Sequence, residues 1–228
     1  MIIAIDGPAG AGKSTVAKLL ALKLGFVYID TGAMYRALTY KVLTENADIN
    51  DTAKIIALAQ QASIVLVNNP DASLKVMLDG IDVSAAIREP RITKLVSDIA
   101  KIKDVRRVMV ELQREFGRGG NCVLDGRDIG TVVFPEAEKK FYLDADFKER
   151  VSRRLKELNG LGQDVSFDDI DKDLRNRDTI DSTRAVAPLK KADDAVFMDT
   201  TDMTIAQVVE KLLSYVRHGK ALGIQPLG

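Results

Sequence analysis

The chain lacks tryptophan, holds one cysteine and one histidine, and carries no net charge, its 33 Lys and Arg balancing 33 Asp and Glu. Each shortage excludes something. Aromatic residues are only 5% of the total, which argues against a stacking surface for single-stranded nucleic acid. Zero net charge argues against a dedicated DNA or RNA binder, because such domains carry a basic surplus. The lone cysteine, Cys122, makes no internal disulfide, so no extracellular disulfide framework is expected. No apolar run approaches the ~20 residues that cross a bilayer. The opening Met1-Ile2-Ile3-Ala4-Ile5-Asp6 has no basic segment and meets an acid early, unlike a secretory signal. Together these absences predict a cytoplasmic protein with no nucleic-acid or membrane partner. What is present is ordinary for a globule: 46% hydrophobic and 29% charged residues, too apolar for a disordered chain. A length of 228 residues predicts one large domain or one domain with an insertion.

Short apolar runs alternate with longer segments of helical period. Ile2–Ile5, Phe26–Ile29, Cys122–Leu124, Lys140–Leu143 and Ala195–Met198 read as five buried strands. Helices are expected over Ser14–Leu24, Thr31–Leu43, Asp104–Phe116, Asp168–Arg184 and Thr204–Tyr215. Strands apolar on both faces between helices predict an α/β fold with a parallel sheet. Ile64–Val83 breaks the rhythm. It reads as two strands with turn signals at Asn68–Asp71 and at Asp79-Gly80-Ile81-Asp82, hence a small antiparallel unit inserted into the α/β body. The tail beyond Arg217 carries Gly219, Gly223, Pro226 and Gly228 and is expected to be flexible.

Gly7-Pro8-Ala9-Gly10-Ala11-Gly12-Lys13-Ser14-Thr15 contains the P-loop pattern, two glycines with four residues between them, followed by Lys and Ser. Its glycines let backbone N–H groups turn inward around phosphate oxygens. The helix that follows points its positive end at the same anion. Lys13 reaches the β and γ phosphates, and the Ser14 hydroxyl is suited to Mg²⁺. This predicts a nucleoside triphosphate as ligand. It leaves the reaction open. No Asn-Lys-x-Asp motif marks a GTPase, and Cys122–Asp125 only partly matches the acidic strand end of a mechanical ATPase. A kinase of shikimate or another small metabolite, or a regulatory nucleotide switch, also satisfies the P-loop alone.

The acceptor signals lie elsewhere. Asp30-Thr31-Gly32-Ala33-Met34-Tyr35-Arg36 follows the second strand, with Thr31 expected as the helix N-cap. Met34, Leu38 and Val42 share the core face, leaving Arg36 off it. Asp125-Gly126-Arg127-Asp128 follows the third strand and must emerge at the carboxyl-end crevice, where open α/β sheets bind ligands. Arg127 and Asp128 there are candidates for an acceptor's phosphate and base. Asp125 is a candidate to hold Mg²⁺ through water. Ile170, Leu174, Arg177, Asp181 and Arg184 form one helical stripe, apolar at its start and charged at its end, so the stripe is expected to run into a polar cleft. In Asp104–Phe116 the core face is Val105, Val108, Met109, Leu112 and Phe116. Arg106 flanks it and is the cleft candidate; Arg107 points away.

Taken together, these residues resemble the bacterial cytidylate kinases of the nucleoside monophosphate kinase family. The resemblance runs from Ile2 to about Arg217. It rests on the P-loop, Asp30–Arg36, Asp125–Pro135 and Arg184-Ala185-Val186-Ala187-Pro188-Leu189, and on the insertion at Ile64–Ile87. It implies a P-loop three-layer α/β/α fold with a five-stranded parallel sheet, the inserted β subdomain at about 63–87, and a short lid at about 158–167. The single domain would span 1–217, with its core at 1–62 and 88–217. The implied reaction is ATP with CMP or dCMP. Thr31, Arg106 and Asp128 would read cytosine and Asp181 would contact the sugar. Arg36, Arg127 and Arg184 would hold the monophosphate and reaction centre, with Arg177 assisting. Lys13 and the loop amides would hold ATP, and Arg153 and Arg154 would lie near adenine. Thr31 replaces the family's frequent serine and keeps the hydroxyl. No general base is expected, because a monophosphate oxygen is already a nucleophile. His218 is therefore expected to have no role, Cys122 to be a buried small hydrophobe, and Gly160 and Gly162 to be flexible points. A monomer is expected.

Overall fold

A computed structural model describes residues 1–71, 73–160 and 162–218. The expected flexible tail at 218–228 lies outside them, apart from the backbone of His218. The chain begins with β1 (Ile2–Asp6), α1 (Lys13–Leu24), β2 (Val27–Asp30), α2 (Thr31–Thr44) and α3 (Thr52–Gln61). Then come β3 (Ile64–Asn68), β4 (Leu74–Leu78), β5 (Ile81–Asp82), α4 (Pro90–Ala100) and α5 (Lys103–Gly117). It closes with β6 (Cys122–Gly126), β7 (Lys139–Asp144), α6 (Phe147–Gly160), α7 (Phe167–Thr183), β8 (Val196–Asp199) and α8 (Ile205–His218).

The five strands expected from the apolar runs form one sheet in the order β2-β6-β1-β7-β8, parallel throughout. Strand side chains alternate between its two faces. Ala4, Cys122 and Leu124 enter one apolar cluster with Met34, Leu38, Ile55, Val105 and Met109 of α2, α3 and α5. Ile3, Ile5 and Val123 enter the other with Val16, Leu20, Val209 and Leu212 of α1 and α8. The central strands β1 and β6 are therefore apolar on both sides, which is why their runs are continuous. By contrast β7 alternates, with Phe141 and Leu143 buried and Lys140 and Tyr142 half-buried, and Phe197 of β8 is exposed. The chain leaves β1 toward β2 on one side, and β6 leads across β1 to β7 on the other. The sheet thus has a switch point beside β1, where a crevice opens at the carboxyl ends.

The periodicity readings survive with two changes. Met34, Leu38 and Val42 are fully buried, and so are Val105 and Met109. Val108, Leu112 and Phe116 are partly buried against the same core. In α8, Val208, Val209, Leu212 and Leu213 are buried, but Ile205 is 49% exposed and lines the cleft. It sits on the first residue of its helix, where the direction of the first turn rather than the wheel decides burial. The helix after β2 is capped by Asp30, not by Thr31: the Asp30 carboxylate accepts the Ala33 N–H at 2.8 Å. Either side chain suits the position, and the one-residue earlier start frees Thr31 for another contact.

The inserted unit is a three-stranded antiparallel sheet, β3-β4-β5. Its third strand is only Ile81–Asp82, a segment read in the sequence as a turn signal. Ile64, Val76 and Leu78 join the apolar cluster of α2 and α5, so the insertion packs on the body's own core. The Asn68 side chain pairs with both backbone groups of Tyr28, at 3.1 and 3.0 Å. This satisfies part of the open edge of β2, which would otherwise invite another chain. Among the described residues no helix is long and apolar enough to cross a membrane.

Candidate active site

The loop between β1 and α1 leaves the sheet through Gly7, which has φ +146°. A Cβ there would stand 1.9 Å from the Leu143 carbonyl oxygen, so only glycine lets the loop leave β1 beside β7. Gly12 is left-handed and caps α1, whose first N–H groups face the loop. Lys13 is 4% exposed, and its Nζ donates to the Pro8 carbonyl at 2.6 Å. Burial and the neighbouring Arg127 and Arg177 depress its ammonium pKa, against the pull of Asp125 and Asp6. A buried cation among cations is poised to gain an anion.

The Ser14 hydroxyl donates to Asp125 Oδ2 at 2.8 Å, and the Tyr28 hydroxyl donates to Asp125 Oδ1 at 2.8 Å. Burial, with Asp30 nearby, raises the Asp125 pKa above the ordinary carboxylate range. Thr31 Oγ1 donates to the Asp125 carbonyl at 2.6 Å, tying the start of α2 to the end of β6. Ser14 and Asp125 therefore form a pair of hard oxygen donors at the loop's mouth, a chemistry that suits Mg²⁺ shared with phosphate. No cluster of three or more His, Cys, Asp or Glu suited to an ion exists among the described residues, so the nucleotide would have to supply further ligands.

Across the crevice stands a network of arginines and two buried acids. Asp128 is 5% exposed and takes Arg106 through a short ion pair and Arg184 at 3.4 Å. Asp181 is also 5% exposed and takes Arg127 at 2.8 Å and Arg184 at 3.6 Å. Burial works to raise the Asp181 pKa, but Arg127 and Arg184 outweigh it and hold it below the ordinary value. Burial, followed by the closeness of Arg106, lowers that of Arg184. Arg36 donates to the Thr93 hydroxyl at 2.7 Å. Burial and the nearby Arg177, Arg154 and Arg88 push its pKa down to about 9. Arg177 contacts Asp173 only at 3.7 Å, and its buried Nε has no partner among the described residues. Arg36 and Arg177 thus carry charge that the fold does not fully neutralise, as a site for phosphate requires.

One cavity of about 630 Å³ joins the loop to this network, a size within the range of small-molecule sites. Ala9 to Thr15, Thr31, Arg36, Asp125, Arg127, Asp128, Arg177, Asp181 and Arg184 line it. Gly7 and Pro8 do not. The α7 stripe runs into the cavity as expected, with Leu174 among its lining residues, although Arg184 lies just beyond the last helical turn. Arg106 is the exception: it is 3% exposed, does not line the cavity, and stands behind Asp128 while also donating to the Ala100 carbonyl at 3.1 Å. Its position flanking the core face puts it under the neighbouring loop instead of in the opening. Arg107 is exposed, as expected. Arg153 and Arg154 both line the cavity; Arg153 is tied to the Thr200 carbonyl at 2.6 Å.

Several contributing residues carried no sequence signal. Asp6 is buried and accepts the N–H groups of Ile129 and Gly130, both at 2.8 Å, so it holds the turn that follows Arg127 and Asp128. Burial pushes its pKa up to about 6. Ile129–Val133 forms a π turn, a local widening that sequence periodicity does not reveal. Tyr28, Arg88 and Lys156 also went unread. An acid ending a strand beside a P-loop was the one available hint, and it concerned Asp6 alone.

Fold and site together define a P-loop enzyme class: an α/β nucleotide-binding core whose phosphate loop faces an arginine-lined cleft. The family model described as cytidylate kinase matches residues 3–218. A cytidylate kinase of Desulforamulus reducens is 50% identical over 218 residues, covering 96% of this chain and 97% of that protein. One from Bacillus subtilis is 48% identical over 214 residues, covering 94% and 95%. The chain belongs to the cytidylate kinase family. An uncharacterized protein from Eubacterium ventriosum shares the fold alone, with a TM-score of 0.53 at 10% identity over 96% of this chain and 99% of that one.

Proposed function

We propose that the chain transfers the γ-phosphoryl group of ATP to CMP or dCMP, giving ADP and the nucleoside diphosphate. Membership of the cytidylate kinase family supports the activity. The observation that carries the acceptor assignment is the pair of buried acids, Asp128 and Asp181, each set between arginines opposite the P-loop. A site for phosphate alone needs arginines; two fixed acids among them suit hydrogen-bond donors on a base and a sugar.

In this reading the loop amides and Lys13 hold the ATP phosphates. Asp128 and Thr31 face the cytosine edge, and Arg106 acts on the base by holding Asp128. Asp181 takes the sugar hydroxyl, and Arg36, Arg127, Arg177 and Arg184 surround the phosphate oxygens between donor and acceptor. The acceptor phosphate oxygen attacks the γ-phosphorus as the bond to the ADP oxygen breaks. Catalysis is then positioning and charge neutralisation, with no covalent intermediate on the protein. Mg²⁺ bound with ATP beside Ser14 and Asp125 would neutralise charge on the phosphates. The connection between α6 and α7 is the proposed lid; its closure would exclude water that otherwise hydrolyses ATP.

The test is ADP formation with CMP, dCMP, UMP, AMP and shikimate as acceptors. Turnover stimulated by CMP or dCMP well above the others is expected. Stimulation by shikimate, or hydrolysis with no acceptor dependence, would overturn the assignment. Asp128→Ala should reduce the preference for CMP over UMP, and an unchanged preference would remove Asp128 from base recognition.

A further inference from the structure

Ala9 lies in the P-loop, yet both polar groups of its backbone are held by side chains from outside that loop. Its carbonyl accepts from Arg150 Nη1 at 2.9 Å, and its N–H donates to Asp178 Oδ1 at 3.3 Å. The same Arg150 nitrogen donates to Asp178 Oδ2 at 2.5 Å, which closes a ring of three residues. Arg150 comes from α6 and Asp178 from α7. The ring is sealed by packing. Ala9 is 3% exposed and belongs to the apolar cluster of Val151, Leu158, Ile170 and Leu174. At the next residue, Gly10, a Cβ would stand 2.9 Å from the Arg150 carbonyl oxygen. The loop therefore touches both helices with no slack.

Neither Arg150 nor Asp178 lines the cavity. Their side chains are 9% and 23% exposed, so the pair is largely out of water and its hydrogen bonds are charge-assisted. Asp178 directly follows Arg177 on the helix that also carries Asp181. A phosphate-binding loop needs its N–H groups turned inward; here one is turned outward onto an acid of the facing helix. That contact serves no phosphate; it ties the loop to the arginine-bearing helix.

We propose that Arg150 and Asp178 are a positioning pair that couples the two nucleotide sites, so that ATP in the loop strengthens CMP binding at the α7 side. This rests on the reading that the P-loop takes ATP and the α7 side chains take the acceptor. A displacement of α7 must either carry Ala9 with it or stretch two charge-assisted hydrogen bonds. Filling the loop fixes Ala9, and hence fixes Arg177 and Asp181 before the acceptor arrives. The second ligand then meets a site already ordered.

The test is calorimetric titration of CMP into the full chain, with and without Mg²⁺ and an ATP analogue whose γ-phosphate cannot transfer. Wild type, Asp178→Asn and Arg150→Lys are compared, with thermal unfolding of each. In wild type the analogue should tighten CMP at least about fivefold, the low end of typical site coupling. Asp178→Asn should reduce that ratio to below about twofold while CMP affinity without the analogue stays within about threefold, which a coupling role predicts. Arg150→Lys should act in the same direction; if it does not fold, the Asn variant alone decides. A wild-type ratio of one overturns the proposal. So does an unchanged ratio in Asp178→Asn accompanied by a lower melting temperature, which would make the ring a structural tie only. If wild type binds no CMP under either condition, the acceptor assignment itself falls and the coupling with it.

Discussion

The two halves of the cleft are built by opposite means. The proposed donor half comes from one continuous stretch, Gly7–Thr15, which offers backbone N–H groups and the N-terminus of α1. The proposed acceptor half gathers side chains from four places, Thr31 and Arg36 of α2, the turn after β6, the end of α7, and Arg184 beyond it, with Arg106 of α5 standing behind Asp128. The difference teaches how positive potential is stored in a chain of zero net charge. Backbone dipoles need no counter-ion. Buried guanidinium groups do, and Asp128 and Asp181 each serve two of them. In the proposed reading the remaining lone pairs of the same acids would take substrate hydrogen bonds without leaving an arginine alone. Desolvation of unpaired arginines would otherwise cost several kcal/mol.

The largest effect is expected at the donor side's own charge. Lys13→Met removes the donor half's only buried cation, and turnover is expected to fall by about 10²–10³-fold, the scale of losing one fixed donor at a developing charge. Nucleotide affinity measured by titration should fall much less; an equal loss would assign Lys13 to ground-state binding. Arg184→Met makes the corresponding cut on the acceptor side: turnover should drop while ATP affinity is little changed, and equal losses would contradict its placement.

Asp181→Asn comes next. It leaves Arg127 and Arg184 facing a neutral amide and should destabilise the fold by about 3 kcal/mol, as removing one partner of a buried pair does. Denaturant unfolding checks this. The pH dependence has a definite sign. The folded pKa of Asp181 is depressed, so its contribution is complete above the ordinary carboxylate value near 4 and is lost as pH falls through the depressed one. The gap in stability between wild type and variant should therefore narrow below about pH 4.

Smaller still, Arg36→Met should raise the acceptor KM by roughly tenfold, the value of a hydrogen bond to a charged group, with the ATP KM unmoved. Cys122→Ala probes the sheet beneath both halves. The thiol is 1% exposed and burial pushes its pKa up to about 11. A loss near 1 kcal/mol is expected from one deleted buried group, and activity should be unchanged. In wild type, disulfide reagents should label Cys122 only on unfolding.

Legibility in the sequence follows the same division. The P-loop was readable because its requirements are local: glycine at a fixed spacing, then lysine and a hydroxyl. The α7 stripe was readable because its helical period is local too. Arg106 was recognised as special, but its place behind Asp128 was not visible, since two residues on either side of an irregular turn meet only through the path between them. Asp6 and Tyr28 went unread because their partners, Gly130 and Asp125, lie over ninety residues away. The insertion was seen as a break in rhythm. Its third strand and its packing on the shared core were not, because a two-residue strand has no period.

The amino-acid sequence alone carried the five strands of the sheet, the phosphate loop, the helix faces and the supply of arginines and acids. Those depend on period, glycine conformation and composition within a few residues. Only the tertiary structure decided which acid neutralises which arginine, that Asp30 rather than Thr31 caps α2, and that Arg150 and Asp178 reach across to Ala9. A buried charge is stabilised by whatever stands within a few ångströms, and which groups those are is set by the pairing of β6 beside β1 and the return of α7.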